Sequence, residues 1–129
     1  MPKHKIVTHL KNGALLKGIT DEFRPNMEQF FLHLEDGDTS EIRIEDVKAV
    51  FFVKDLDGDR DYNEQYQDAI PGGGKKIEVT FADGEVFVGF ATSYSPGRRG
   101  WFFLPADVGS NNVRVFAVSS AVKDVQMMS

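Results

Sequence analysis

The sequence predicts an all-β protein made of two tandem five-stranded barrels that arose by internal duplication. The main observation is that residues 76–105 repeat residues 5–34 without a gap, at a constant offset of 71 positions. The matched pairs are Gly13 and Gly84, Gly18 and Gly89, Phe23 and Tyr94, Pro25 and Pro96, and Phe31 and Phe102. In addition, each copy reads as five short strand segments separated by polar turns, which is typical of small barrels rather than open sheets.

The elements of the first copy follow one another closely. The predicted strands are 6–10, 14–23, 29–35, 40–44 and 47–54. Asn12-Gly13 is a hairpin-turn signal, because both residues tolerate a positive φ. Gly18 interrupts the second strand where a bulge or bend would curl the sheet. Glu45-Asp46 predicts a short turn between the last two strands.

The second copy repeats this order. Ile77, Val79 and Phe81 alternate along its first strand, and Asp83-Gly84 forms the hairpin turn. The remaining predicted strands are 85–94, 100–104, 113–118 and 122–128. The segment 47–50 matches 122–125 at an offset of 75, so the second copy carries four extra residues between its third and fourth strands.

These repeats define three regions. Residues 1–54 form the first barrel unit, 55–75 an acidic and then glycine-rich connector, and 76–129 the second barrel unit. The connector segment 55–70 contains six acidic residues and one basic residue, a net charge of −5 that equals the net charge of the whole chain. The two units are therefore close to neutral, which argues against the basic surface that binding to a nucleic-acid backbone usually requires.

Composition excludes several classes of site. The 129-residue chain contains no cysteine, so disulfides, thiolate metal sites and thiol nucleophiles are excluded. The first residues show no signal-peptide pattern, and no apolar run approaches the roughly 20 residues that cross a bilayer. We therefore expect a cytoplasmic protein that does not bind membranes.

The pattern of turn, apolar residue and glycine resembles the Sm-like (SH3-type) small barrel. Its residues are Asn12, Gly13, Leu16 and Gly18 in the first copy, and Asp83, Gly84, Phe87 and Gly89 in the second. The chain departs from Sm proteins because it lacks an N-terminal helix and because Glu45-Asp46 and Ser119-Ser120 replace the RNA-contacting signature. It also resembles bacterial domains of unknown function.

Some strands are apolar on both faces, which a single barrel does not require. Residues 50–53 and most of 113–118 are apolar throughout, and Phe87 lies on the opposite face from Val86 and Val88. We expect the outward half of these strands to be covered by the other unit or by a second chain.

The connector and the histidines offer little evidence of a metal site. The carboxylates of Asp55, Asp57, Asp59 and Asp61 alternate in a way that suits Ca²⁺, but Arg60 and Tyr66 occupy the positions where a calcium-binding loop needs glycine and glutamate. We interpret the segment as a solvated acidic linker. The histidines have no metal-site spacing, so neither metal nor cofactor is expected.

The chain also lacks the motifs of an enzyme. It contains no Gly-x-Ser-x-Gly element and no phosphate-binding loop, and Gly72-Gly73-Gly74 precedes a strand rather than a helix. We therefore expect a protein that is not an enzyme.

The strongest local candidate for a ligand-binding site is the loop that carries Arg98, Arg99 and Trp101. Two guanidinium groups beside the single tryptophan suit an anion and a planar ring. The alternative is a plain turn with solvated arginines and an inward-packed tryptophan. The ligand-binding candidates are thus Arg98, Arg99 and Trp101.

Two functions remain open. The first is a non-catalytic binding or regulatory module that acts through protein contacts or a small anionic ligand. The second is an Sm-like RNA-binding protein, which the charge distribution makes the less favoured of the two. Association of copies through the apolar strand faces is a further option.

Overall fold

The computed structural model describes residues 4–21, 23–24, 27–54, 56, 75–91, 99–105 and 112–127. The regular structure there consists of ten β-strands and two three-residue 3-10 helices. The strands are β1 (His4–Leu10), β2 (Leu15–Thr20), β3 (Gln29–Leu34), β4 (Thr39–Arg43), β5 (Val47–Val53), β6 (Lys75–Phe81), β7 (Val86–Ala91), β8 (Gly100–Pro105), β9 (Asn112–Val118) and β10 (Val122–Met127). The 3-10 helices are Ile44–Asp46 and Ser119–Ala121. The all-β prediction is confirmed.

Within the described ranges, no helix has the length and apolar character needed to cross a membrane.

The strands form one antiparallel sheet instead of two separate barrels. Its order is β10-β6-β7-β8-β9-β5-β1-β2-β3-β4. Each half keeps the same internal order, with its fifth strand beside its first and its fourth strand at the other end. The halves join where β5 pairs with β9, in a register that places Phe51 opposite Val115. We call this β5–β9 junction the seam.

The seam has a simple physical cause. All seven residues of β5 are buried. Separate barrels would leave one apolar face of that strand in water, so pairing with β9, whose apolar residues 115–118 are buried, is favoured by the hydrophobic effect. This explains why the structure is continuous where the sequence predicted two units side by side.

Two hydrophobic cores result, and both halves contribute to each. The first core contains Ile6, Phe30, Leu32, Ile42, Ile44, Val47, Val50 and Phe52 with Phe116 and Val118. The second core contains Ile77, Val79, Phe81, Ala91, Trp101, Phe103, Val115, Ala117 and Ala121 with Ala49, Phe51 and Val53. The strand β5 thus sends alternate side chains into opposite cores, and β9 does the same. The expectation that the units cover each other is confirmed.

The two hairpin turns have the same geometry. Gly13 and Gly84 have φ values of +93° and +94°, which glycine adopts readily. The side-chain oxygens of Asn12 and Asp83 each accept a hydrogen bond from the backbone N–H two residues further on, at 2.9 and 3.0 Å. The predicted turn chemistry is therefore present in both copies.

Gly18 and Gly89 allow the second and third strands of each half to lie close together. A Cβ atom on Gly18 would lie 2.3 Å from the carbonyl oxygen of His33, and one on Gly89 would lie 2.4 Å from the carbonyl oxygen of Leu104. Both contacts are with backbone, which has little room to move. The repeat therefore keeps glycine here because any side chain would force β2 from β3, or β7 from β8.

Candidate functional site

Two of the three sequence-predicted ligand residues, Arg99 and Trp101, are described by the structure, and they lie in different environments. Arg98 lies outside the described residues. Arg99 is exposed, and its Nη2 atom lies 3.8 Å from Oε1 of Glu28 in the other half of the chain. The backbone oxygen of Arg99 accepts a hydrogen bond from the N–H of Ser119 at 2.9 Å. This loop end therefore lies against the first half, and its binding of an anion stays a prediction.

Trp101 takes the inward position that the alternative interpretation required. Its residue surface is only 3% exposed, and its side chain belongs to the second core. It pairs with Ala117 on β9. The ring is consequently a core residue, so a ligand held by Arg99 would not stack on it in this conformation.

A cavity of about 480 Å³ lies on the first half, beside the connection from β2 to β3. It is lined by Thr20, Asp21, Arg24, Met27, Gln29, Phe30, Phe31, His33 and Thr39. Phe31 is 54% exposed although it is a large aromatic residue. The cavity therefore combines an apolar contact surface with one acidic, one basic and several hydrogen-bonding side chains, the usual composition of a binding pocket.

The polar groups of this cavity are connected only loosely. Nδ1 of His33 lies 3.1 Å from Oγ1 of Thr39, which is a hydrogen bond. Nε2 of His33 lies 3.9 Å from Oδ2 of Asp21, which is too long for one, and both side chains are about half exposed. His33 is thus hydrogen-bonded by Thr39 but not fixed by Asp21, an arrangement suited to contact with a ligand.

Most of the cavity residues are not repeated in the second half, although Phe31 corresponds to Phe102. At the offset of 71, Phe30 corresponds to Trp101 and His33 to Leu104. An apolar residue thus replaces the polar His33. A comparison of the two copies for positions where only one is polar would have marked His33 as a candidate from the sequence, whereas searching for known motifs missed it.

A second polar cluster lies at the seam. Nζ of Lys48, on β5, lies 2.8 Å from Oδ2 of Asp83, forms a second ion pair with Glu85, and stands 4.9 Å from the centre of the Phe81 ring. Burial alone would lower the pKa of Lys48, but its contacts with Asp83 and Glu85 outweigh burial and raise it. The hydrogen bond from Lys48 in turn lowers the pKa of Asp83. This cluster ties the two halves together.

His9 lies near this cluster and contacts Phe51 on β5. Its ring centre is 4.2 Å from that of Phe51. Burial lowers the pKa of His9 to about 4, because the neighbouring carboxylates only partly offset the loss of water and Lys48 disfavours a second positive charge. His9 is therefore neutral at physiological pH.

The connector carboxylates Asp55, Asp57, Asp59 and Asp61 lie outside the described residues. Among the residues that are described, no group of three His, Asp or Glu side chains is arranged to hold a metal ion.

One protein-family model matches residues 2–129, and its description is "Family of unknown function (DUF6982)". No curated protein shows significant similarity to the chain. No solved structure does either.

Proposed function

The chain belongs to the DUF6982 family, whose function is unknown, and we propose on the basis of its own geometry that it is a non-catalytic binding module. The observation that carries this proposal is the cavity on the first half, where the exposed Phe31 lies among Asp21, Arg24 and His33. An aromatic residue that is 54% exposed beside several polar groups is a typical anchor for a partner surface.

We further propose that each half is a Sm-like (SH3-type) unit. Both halves place their strands in the order fifth, first, second, third and fourth, and both bring their second and third strands close together at the equivalent glycines Gly18 and Gly89. This likeness concerns the fold, and it brings no activity with it.

A protein partner is favoured over nucleic acid. The cavity contains one acidic residue, Asp21, and one basic residue, Arg24, so it is not the cationic surface that neutralises phosphates. RNA binding, the alternative function, would instead use Phe31 as a stacking platform for a base. Binding to RNA should weaken with salt and be abolished by ribonuclease, whereas binding to a protein should survive ribonuclease. One experiment can therefore distinguish the two functions.

The test is capture of ligands from the native cytoplasm on the immobilised chain, with protein and RNA both identified. The informative variant is Phe31→Ser. Its matched control is Leu15→Ser. Leu15 is 53% exposed, so this substitution also removes one large apolar side chain from a strand surface. We expect one protein to be retained by the wild type and by Leu15→Ser, to be lost with Phe31→Ser, and to survive ribonuclease.

Two results would overturn the proposal. If Phe31→Ser retains the same ligands as Leu15→Ser, the cavity is not the binding surface. If the retained material is RNA, and its retention falls steeply with salt and depends on Phe31, the RNA-binding function replaces the protein-binding one.

A further inference from the structure

Arg114 occupies an unusual position at the seam. Its guanidinium carbon lies 4.3 Å from the centre of the Phe52 ring and 4.5 Å from the centre of the Phe102 ring. Phe52 comes from β5 in the first half, whereas Phe102 and Arg114 come from β8 and β9 in the second. The charge is thus placed over two aromatic faces, a favourable cation–π arrangement.

The guanidinium has no counter-charge within the part of the chain that the structure describes. Other basic residues in the described ranges do have acidic partners. These ion pairs are Arg43 with Glu45, Arg99 with Glu28, and Lys48 with Asp83. Arg114 forms no such pair and donates no hydrogen bond to a described residue. Burial lowers the pKa of Arg114, and no carboxylate among the described residues opposes that effect. Five N–H donors and a positive charge are therefore partly buried without an acceptor from the described part of the chain.

This arrangement is unfavourable for stability alone. A partly buried charge without a partner loses hydration that the aromatic faces replace only in part. If Arg114 only covered the first core, a leucine or methionine would do so without that cost. A guanidinium at this position therefore favours an acceptor that the described residues do not supply.

The aromatic surroundings also hold the guanidinium in place. The Phe52 and Phe102 rings are 5.8 Å apart, and the Phe23 ring lies 5.4 and 6.1 Å from them. A side chain that is already ordered loses little further entropy when a ligand binds. The site is consequently preorganised, unlike an arginine on an open surface.

We propose that Arg114 is the anchor of an oxyanion-binding site at the seam. The ligand is a small molecule with a carboxylate or phosphate group attached to a planar apolar body. The planar fork of the guanidinium matches the two oxygens of either group, and the partly exposed ring of Phe102 provides the apolar surface. This site is separate from the cavity around Phe31 and does not rest on the function proposed for it.

The test uses three ring compounds of similar size at constant ionic strength: benzoate, phenyl phosphate and the uncharged benzamide. Binding is measured by NMR titration of the full-length chain, with the backbone amides of Phe52 and Phe102 as reporters. We expect saturable shifts with at least one oxyanion and none with benzamide. Which oxyanion binds more tightly identifies the group, carboxylate or phosphate, that the site prefers.

Two substitutions then test the anchor. Arg114→Leu keeps apolar contact with the rings and removes the charge, and it is expected to weaken binding about tenfold or more, since hydrogen bonds to charged groups are strong. Arg114→Lys keeps the charge without the fork and is expected to bind more weakly than wild type. Arg43→Leu, at an exposed arginine that already pairs with Glu45, should bind as wild type. We expect Arg114→Leu without ligand to melt at or above the wild-type temperature.

The proposal is overturned if neither oxyanion binds saturably, if benzamide binds as well as they do, or if Arg114→Leu keeps wild-type affinity. If Arg114→Leu does not fold, the proposal is decided by Arg114→Lys: wild-type affinity in that variant contradicts a bidentate anchor, and weakened affinity supports it.

Discussion

Lys48 and Asp83, which belong to different copies of the repeat, form an ion pair of 2.8 Å across the seam. The partners differ in exposure, because the Lys48 side chain is only 10% exposed whereas that of Asp83 is 54% exposed. A buried ammonium depends on its partners, while exposed carboxylates can return to water. Removing the carboxylates should therefore destabilise the protein more than removing the lysine.

This asymmetry predicts which side of the pair is harder to remove. The double variant Asp83→Asn/Glu85→Gln leaves the Lys48 charge buried without a counter-charge, whereas Lys48→Met replaces it with an apolar chain that still packs on Phe81. We expect the double variant to have the lower urea midpoint at pH 7. Equal midpoints, or a lower midpoint for Lys48→Met, would show that the lysine is effectively solvated.

His9 predicts a pH dependence of stability. Its pKa is about 4 in the folded protein against 6.5 when unfolded, so the unfolded chain binds more protons between these values. The free energy of unfolding should therefore fall as the pH falls from 6.5 to 4, by up to about 3 kcal/mol and by less to the extent that water reaches the ring. Urea titrations at both pH values measure this.

The control for that experiment is a pair of substitutions. His9→Gln should remove most of the difference between the two pH values, whatever it does to stability at pH 7. His33→Gln, at an exposed histidine, should leave the difference in place. If His9→Gln retains the full pH dependence, other groups cause it.

The surroundings of Gly18 and Gly13 predict which of the two alanine substitutions destabilises the protein more. Gly18→Ala places a methyl group against the backbone of His33 and should cost about 1–3 kcal/mol or more. Gly13→Ala meets no atom within 4 Å and strains only the positive φ, at a cost of about 1–2 kcal/mol. Chemical denaturation should therefore find Gly18→Ala less stable than Gly13→Ala. The reverse order would mean that β2 and β3 can separate without penalty.

The shared cores predict that both halves unfold together. Leu32 is fully buried in the first core, and Leu32→Ala should cost about 2–5 kcal/mol. Trp101 is the single tryptophan and lies in the second core. We expect Leu32→Ala to lower the urea midpoint measured by Trp101 fluorescence. The midpoint measured by far-UV circular dichroism should fall by the same amount. A fluorescence midpoint that does not move would show that the halves unfold independently.

Local signals in the sequence predicted the all-β class and the positions of the strands and turns, but not how the two halves join. Turn residues such as Asn12-Gly13 act through their own backbone geometry, so the strand positions could be predicted to within a few residues. The residues 50–53 are apolar in succession, which predicted that the strand is covered on both faces. Their partner could not be predicted, because pairing between β5 and β9 joins residues far apart in the chain and leaves no local pattern.

The candidate sites were less predictable for the same reason. Trp101 and Arg99 are close in sequence, but strand alternation and the pairing with Ala117 place Trp101 in the core. The two aromatic rings against Arg114, Phe52 and Phe102, come from different halves of the chain. Their convergence depends on the seam, so it could not be predicted before the strand pairing was known.

The seam also means that the contact between the two repeats forms within a single polypeptide, at an effective concentration set by the tether and not by the amount of protein present. The outer edges of the sheet differ from it, because Gln126 and Glu41 stand at the positions equivalent to the buried Phe51 and Phe116. Polar and charged residues on an edge strand oppose the addition of further strands. The seam is thus a single contact held within one chain, and the two copies differ around it at positions such as His33 and Leu104.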